Sequence, residues 1–110
     1  MKNLKKDNLY KKDHNKINKF IFNNDVANVF EDMVNRSVPG YEFLIDNIGV
    51  LSKKFYKQNT SIYDLGASLC ACSLSILEKL DNTNVEIYAV DSSKAMIDIC
   101  KKNINKDEIK

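Results

Sequence analysis

Apolar residues recur at helical spacing in four stretches of this chain and form two short continuous runs between them. From Asp25 to Arg36 the apolar positions are Val26, Ala27, Val29, Phe30, Met33 and Val34, a one-sided stripe that predicts a helix with Asp25 as its N-cap. Ser37-Val38-Pro39-Gly40 breaks that helix. A second helix is predicted from Tyr41 to Tyr56, with a stripe of Tyr41, Leu44, Ile45, Ile48, Leu51 and Phe55. Gln58-Asn59-Thr60 is a turn, and Ser61–Leu65 reads as a short strand that ends sharply at Gly66. A third helical pattern runs from Ser68 to Leu80, and Asp81–Asn84 is a loop. Val85–Val90, largely β-branched or aromatic, is the second strand, and Asp91 ends it. Ser92 or Ser93 caps a last helix bearing Ala95, Met96, Ile99, Cys100 and Ile104, and the residues from Asn105 onward are polar.

The order helix, helix, strand, helix, strand, helix predicts an α/β fold. A strand, a helix of this length and a second strand make a βαβ unit with parallel strands. Two parallel strands are not a self-sufficient sheet, because such sheets are covered on both faces and usually carry more strands. Residues 20–110 are therefore expected to form one incomplete α/β domain. Residues 1–19 lack an apolar period and are read as a disordered basic tail.

Composition narrows the function classes. With 44% hydrophobic and 29% charged residues among 110, the chain is an ordinary soluble type. A net charge of +2 is too small to imply a nucleic-acid partner. Seven lysines (Lys2, Lys5, Lys6, Lys11, Lys12, Lys16, Lys19) crowd the tail, but Asp7 and Asp13 dilute them. No arginine is present there to fork onto phosphates, so a solvated end is read over an RNA-binding arm. No apolar run reaches the roughly 20 residues of a membrane span, and the start has no apolar segment of a secretory signal. Cys70, Cys72 and Cys100 are an odd set without a disulfide framework, which favours a reducing, cytoplasmic setting. Cys70 and Cys72 have no second cysteine pair, and the single histidine, His14, lies in the tail. They are read as buried small side chains, and no metal is expected.

The segment with chemistry is Asp64-Leu65-Gly66-Ala67-Ser68-Leu69-Cys70-Ala71. Gly66 can take the backbone angles of a sharp turn and lets a ligand approach the main chain. Ala67 and Ser68 are small, and the following helix offers free N–H groups at its start. Asp91, at the end of the second strand, stands where an acid accepts hydrogen bonds from ribose hydroxyls. In open α/β sheets ligands bind beyond the carboxyl ends of the strands, where both features lie. A dinucleotide loop needs further glycines, and here those places hold Ser68 and Cys70 or Ala71, which speaks against NAD. A nucleoside without phosphate, such as S-adenosylmethionine, tolerates this loop. The combination looks like the class I adenosylmethionine-dependent methyltransferase fold.

A sharper resemblance comes from Phe30–Tyr41, above all Arg36-Ser37-Val38-Pro39-Gly40-Tyr41, taken with Tyr63–Leu69 and Ala89–Ile97. From about Phe22 to Ile104 the chain resembles the carboxy-S-adenosyl-L-methionine synthases. That resemblance implies conversion of S-adenosylmethionine and prephenate to carboxy-S-adenosylmethionine and phenylpyruvate, in a homodimer whose product serves tRNA wobble-uridine modification. It also implies ligand contacts at Tyr41, Gly66, Ala67, Ser68, Asp91 and Ser92. The tyrosine hydroxyl would meet the carboxylate end of the ligand, the turn would lie along its methionine-like part, and Asp91 would take the ribose. Arg36 is read as a structural ion-pair partner, and no catalytic base or nucleophile is assigned.

Two departures stand out. The family usually has Gly-Cys-Ser-Leu-Gly in the turn, where this chain has Gly66-Ala67-Ser68-Leu69-Cys70, and Cys70 adds a side chain at a close helix–strand contact. Family members also continue through more strands and an arginine for the added carboxylate. The chain is thus expected to be an N-terminal half with little activity by itself. An ordinary methyltransferase and an inactive truncated remnant are the other readings.

Overall fold

The computed structural model of this chain describes residues 5–8, 22–81, 84–104 and 107–110. Apart from 5–8, the predicted tail, with His14, lies outside the described residues. Asp7 is tied to the first helix: its amide donates to the Asp32 carboxylate, and its carbonyl accepts from Arg36 Nη1 at 3.2 Å.

Four helices and two strands follow in the predicted order: α1 (Asn24–Ser37), α2 (Tyr41–Phe55), β1 (Ser61–Leu65), α3 (Ala71–Lys79), β2 (Glu86–Val90) and α4 (Lys94–Asn103). The cap of helix α1 lies two residues before the expected one. Asn23 is the N-cap, and its Oδ1 accepts from the amides of Asp25 and Val26, each at 3.1 Å. Asp25 instead sits in the first turn, where its negative charge complements the helix dipole. At α4 the cap is Ser93, whose Oγ accepts from the Met96 amide at 3.3 Å.

β1 and β2 are parallel neighbours, with Ile62 opposite Ile87, Tyr63 opposite Tyr88 and Asp64 opposite Ala89. This is the βαβ unit of a partial Rossmann-like methyltransferase fold. Contrary to the expectation of a plain polar end, residues 108–110 pair with β2. The Ile87 amide donates to Glu108 O, Lys110 N–H to Ile87 O and Ala89 N–H to Lys110 O, at 2.8, 2.8 and 2.9 Å. Residues 108–110 therefore bridge the other edge of β2 in parallel. Ile109 is the sole apolar residue there, too little for a strand signal. Ile109 packs against the cluster of Ile76, Leu80, Val85 and Ile87.

Helices α1 and α4 bury Val26, Ala27 and Met96 between them. Helix α2 packs on α3 through a very close approach at Gly49. A Cβ there would stand 2.5 Å from Ser75 Oγ and 2.7 Å from Ser75 O. Ser75 Oγ donates to Ile45 O across the same contact at 2.9 Å. The predicted α2 stripe packs only in part: Ile48 meets the core, whereas Leu44, Leu51 and Phe55 are exposed. One sheet face carries Ile62, Ile87 and Ala89 under the helices, and the other leaves Tyr63, Leu65 and Val90 exposed, with Tyr63 stacked on Tyr88 at 5.1 Å.

Candidate nucleoside-binding site

The turn after β1 is built from the backbone. Gly66 has φ +76°, in the left-handed region, and its amide and that of Ala67 both donate to Val90 O, at 2.8 and 3.0 Å. These bonds fasten the turn to the end of β2. Ser68 (φ 51°) and Cys70 (φ 63°) are also left-handed, so α3 cannot begin at Ser68 as its apolar pattern predicts. It begins at Ala71, with Cys70 as N-cap. A Cβ on Gly66 would meet nothing within 4 Å, so the space beside the turn is open.

Asp91 organises the junction. Its Oδ2 accepts from the Ser68 amide and its Oδ1 from the Ser93 amide, both at 2.8 Å. One carboxylate thus clamps the turn and the start of α4. Each oxygen has two acceptor sites, so capacity remains for a ligand hydroxyl. Ser92 is exposed beside it.

A cleft of about 620 Å³ opens between α1, α2, the turn and α3, within the range of small-molecule sites. Tyr41, Gly66, Ala67 and Ser68 all line it, so four of the six expected site residues meet on one surface. Asp91 reaches it through Ser68. Asp64, Cys72 and Glu31 share the cleft; the sequence reading placed none of them in the site. Asp64 sits at the inward-facing position of β1, and its Oδ2 accepts from Ser73 N at 3.2 Å and Ser73 Oγ at 2.7 Å. Its place before Gly66 was the signal available in the sequence.

Burial, reinforced by Cys72, Glu31 and Asp64, holds the Tyr41 hydroxyl above its ordinary value of 10.0. It is therefore a hydrogen-bond donor at neutral pH. Burial, then Asp64, raises the Cys72 thiol above its ordinary 9.0, so it is a protonated thiol and a poor nucleophile. Arg36 pairs with Asp32 at 3.4 Å, in keeping with its structural reading. No lysine or arginine lines the cleft among its described residues. The acidic lining suits the ammonium and sulfonium charges of S-adenosylmethionine, and the open space beside Gly66 admits it. No group of three or more potential metal ligands occurs among the described residues, and no described helix is long and apolar enough to cross a membrane.

The cysteines depart from expectation. Cys70 and Cys100 are joined in a disulfide, with Cα atoms 6.3 Å apart and a separation of 30 positions in sequence. Cys70 is buried as expected, whereas Cys72, expected to be buried with it, is only partly so; the pairing of Cys70 with Cys100 was not expected. The turn and α4 bring together two residues that spacing alone does not connect. Cys72 is the free cysteine.

No protein-family model matches the chain. Curated relatives do. The carboxy-S-adenosyl-L-methionine synthase of Shewanella piezotolerans is 46% identical over 99 residues, 90% of this chain and 41% of that protein. The Shewanella halifaxensis protein of the same name is 45% identical over 103 residues, 94% of this chain and 42% of its own. That of Vibrio atlanticus is 43% identical over 99 residues, 90% and 41% respectively. The chain spans about two-fifths of the length of the curated relatives it matches. Across at least nine-tenths of its own length, it is a relative of the carboxy-S-adenosyl-L-methionine synthases.

Proposed function

We propose that the chain supplies the nucleoside-binding part of an enzyme that converts S-adenosylmethionine and prephenate to carboxy-S-adenosylmethionine and phenylpyruvate. The observation that carries this reading is the convergence of Tyr41 and the Gly66–Ser68 turn on one cleft, with Asp91 clamped behind the turn. In this reading Asp91 accepts from the ribose hydroxyls and Ser92 lies beside it. The turn amides and Ser68 follow the methionine-like arm, and Tyr41 donates to its carboxylate end. Glu31 and Asp64 face the ligand's positive charges. The added carboxylate of the product finds no cation among the described cleft residues, so a basic side chain from elsewhere in the enzyme neutralises it.

Tyr41 and Cys72 both hold their protons at neutral pH and are not disposed as nucleophiles. The chain's contribution is positioning, which by itself lowers a bimolecular barrier substantially. Prephenate as co-substrate, a homodimer, a cytoplasmic setting and delivery of the product to tRNA wobble-uridine modification without direct nucleic-acid binding complete the proposal.

Binding of S-adenosylmethionine to the purified protein, compared with Asp91→Ala, tests the site. Saturable binding weakened at least tenfold by the substitution is expected. Equal affinity in both proteins refutes the assignment of Asp91 to the ribose.

A further inference from the structure

The Cys70–Cys100 disulfide lies at the hinge of the proposed site. Cys70 is the N-cap of α3 and the last residue of the ligand turn. Its partner is on α4, the helix that starts from the Asp91 clamp. Both half-cystines are buried with Ala67, against Ala89 and Ile104. The bond thus staples the turn to the helix behind it.

The turn has reason to need a staple. Ser68 and Cys70 both hold left-handed backbone conformations with side chains attached, which L-residues adopt at a cost. Glycine would relieve that cost at position 70; cysteine does not. The covalent link to α4 restricts Cys70 to few alternatives. With the link open, relaxation of Cys70 toward ordinary angles would shift Ala67, whose carbonyl accepts from the Cys70 amide at 2.7 Å. It would also move Ser68, whose amide is held by Asp91.

We propose that Cys70 and Cys100 form a reversible thiol–disulfide switch that sets the affinity of the nucleoside cleft, tight when oxidised and weaker when reduced. This rests on the reading of the turn as a ligand site. The oxidant is a low-molecular-weight disulfide. The thiolate of Cys100, the more exposed of the two, attacks it and releases one small thiol. The thiolate of Cys70 then displaces the second small thiol from the mixed disulfide. Two protein thiols are oxidised, one external disulfide is reduced to two thiols, and the two protons go to the departing thiolates. A dithiol reductant reverses the exchange.

The test is calorimetric titration of S-adenosylmethionine into the protein in its complete natural length, after equilibration with oxidised glutathione or with dithiothreitol. Alkylation and mass spectrometry count the free thiols in each sample. Binding about tenfold tighter in the oxidised sample, about 1.4 kcal/mol, is expected, with no redox response in Cys100→Ser. Equal affinity in two samples whose thiol counts show the bond made and broken overturns the switch and leaves the ligand site standing. Failure of the bond to form under oxidant also overturns it. Absence of binding in both states removes the site reading itself, and the switch with it.

Discussion

Substituting Gly49 by alanine probes the close contact of α2 with α3. In an isolated helix this change stabilises by about 1 kcal/mol, because alanine has less backbone freedom to lose. Here the new methyl would stand 2.5 Å from Ser75 Oγ, 2.7 Å from Ser75 O and 2.9 Å from Lys79 Cγ. The hydroxyl and the lysine stem can rotate away, although the hydroxyl then loses its 2.9 Å bond to Ile45 O. The backbone carbonyl cannot move without shifting α3. A clash this close to a backbone atom falls in the upper part of the overpacking range, about 2–3 kcal/mol, so after the gain of about 1 kcal/mol a net loss of about 1–2 kcal/mol follows. For a domain of this size that lowers the melting temperature by about 5 °C or more. Tyr41 opens α2 and faces the turn across the cleft, so displacement of α2 also weakens S-adenosylmethionine binding several-fold. Thermal unfolding followed by circular dichroism, with calorimetric titration alongside, reads both effects. A melting temperature equal to or above that of the parent would show that α2 and α3 do not approach as described.

Asp91→Ala removes the acceptor for the Ser68 and Ser93 amides; chemical denaturation is expected to show a loss of about 1–3 kcal/mol in addition to the binding defect. Ser92→Ala, at an exposed position with no comparable clamp, is expected to alter S-adenosylmethionine affinity far less than Asp91→Ala in the same titration. Tyr41→Phe is expected to weaken ligand binding about five- to tenfold through one lost hydrogen bond, with little change in melting temperature. The folded protein holds the Tyr41 proton above pH 10.0, where the unfolded chain releases it. Unfolding therefore releases protons there, and stability is full below pH 10 and declines as pH rises through the folded-state value. Urea midpoints measured from pH 9 to 11 are expected to fall less steeply in Tyr41→Phe than in the parent.

Much of the fold was legible because the apolar periods are clean and the breakers are strong. Pro39-Gly40 and Gly66 end elements where the structure ends them, and Ser61–Leu65 matches β1. The start of α3 was not legible. An apolar pattern running through Leu69 and Cys72 does not reveal that Ser68 and Cys70 are left-handed, a feature fixed by the bonds from Gly66 and Ala67 to Val90 O and from Ser68 to Asp91. The cap of α1 was misplaced because Asn23, Asn24 and Asp25 are all capping types in succession. Gly49 gave no signal, since a glycine within a helical stripe shows its role only when a neighbouring helix is seen against it. The turn and Asp91 were visible from their positions at strand ends. The disulfide and the added cleft residues Glu31 and Cys72 depend on tertiary contacts between distant segments, whereas Asp64 was signalled by its place two residues before Gly66.

The reaction itself separates carboxyl transfer from plain methyl transfer. The protein in its complete natural length is incubated with S-adenosylmethionine bearing an isotopically labelled methyl group and with prephenate, and the products are separated by mass-resolved chromatography. Carboxy-S-adenosylmethionine that retains the label, formed in step with phenylpyruvate and dependent on Asp91, is the expected product of the proposed reaction. Methyl transfer to an acceptor with prephenate unconsumed would contradict it.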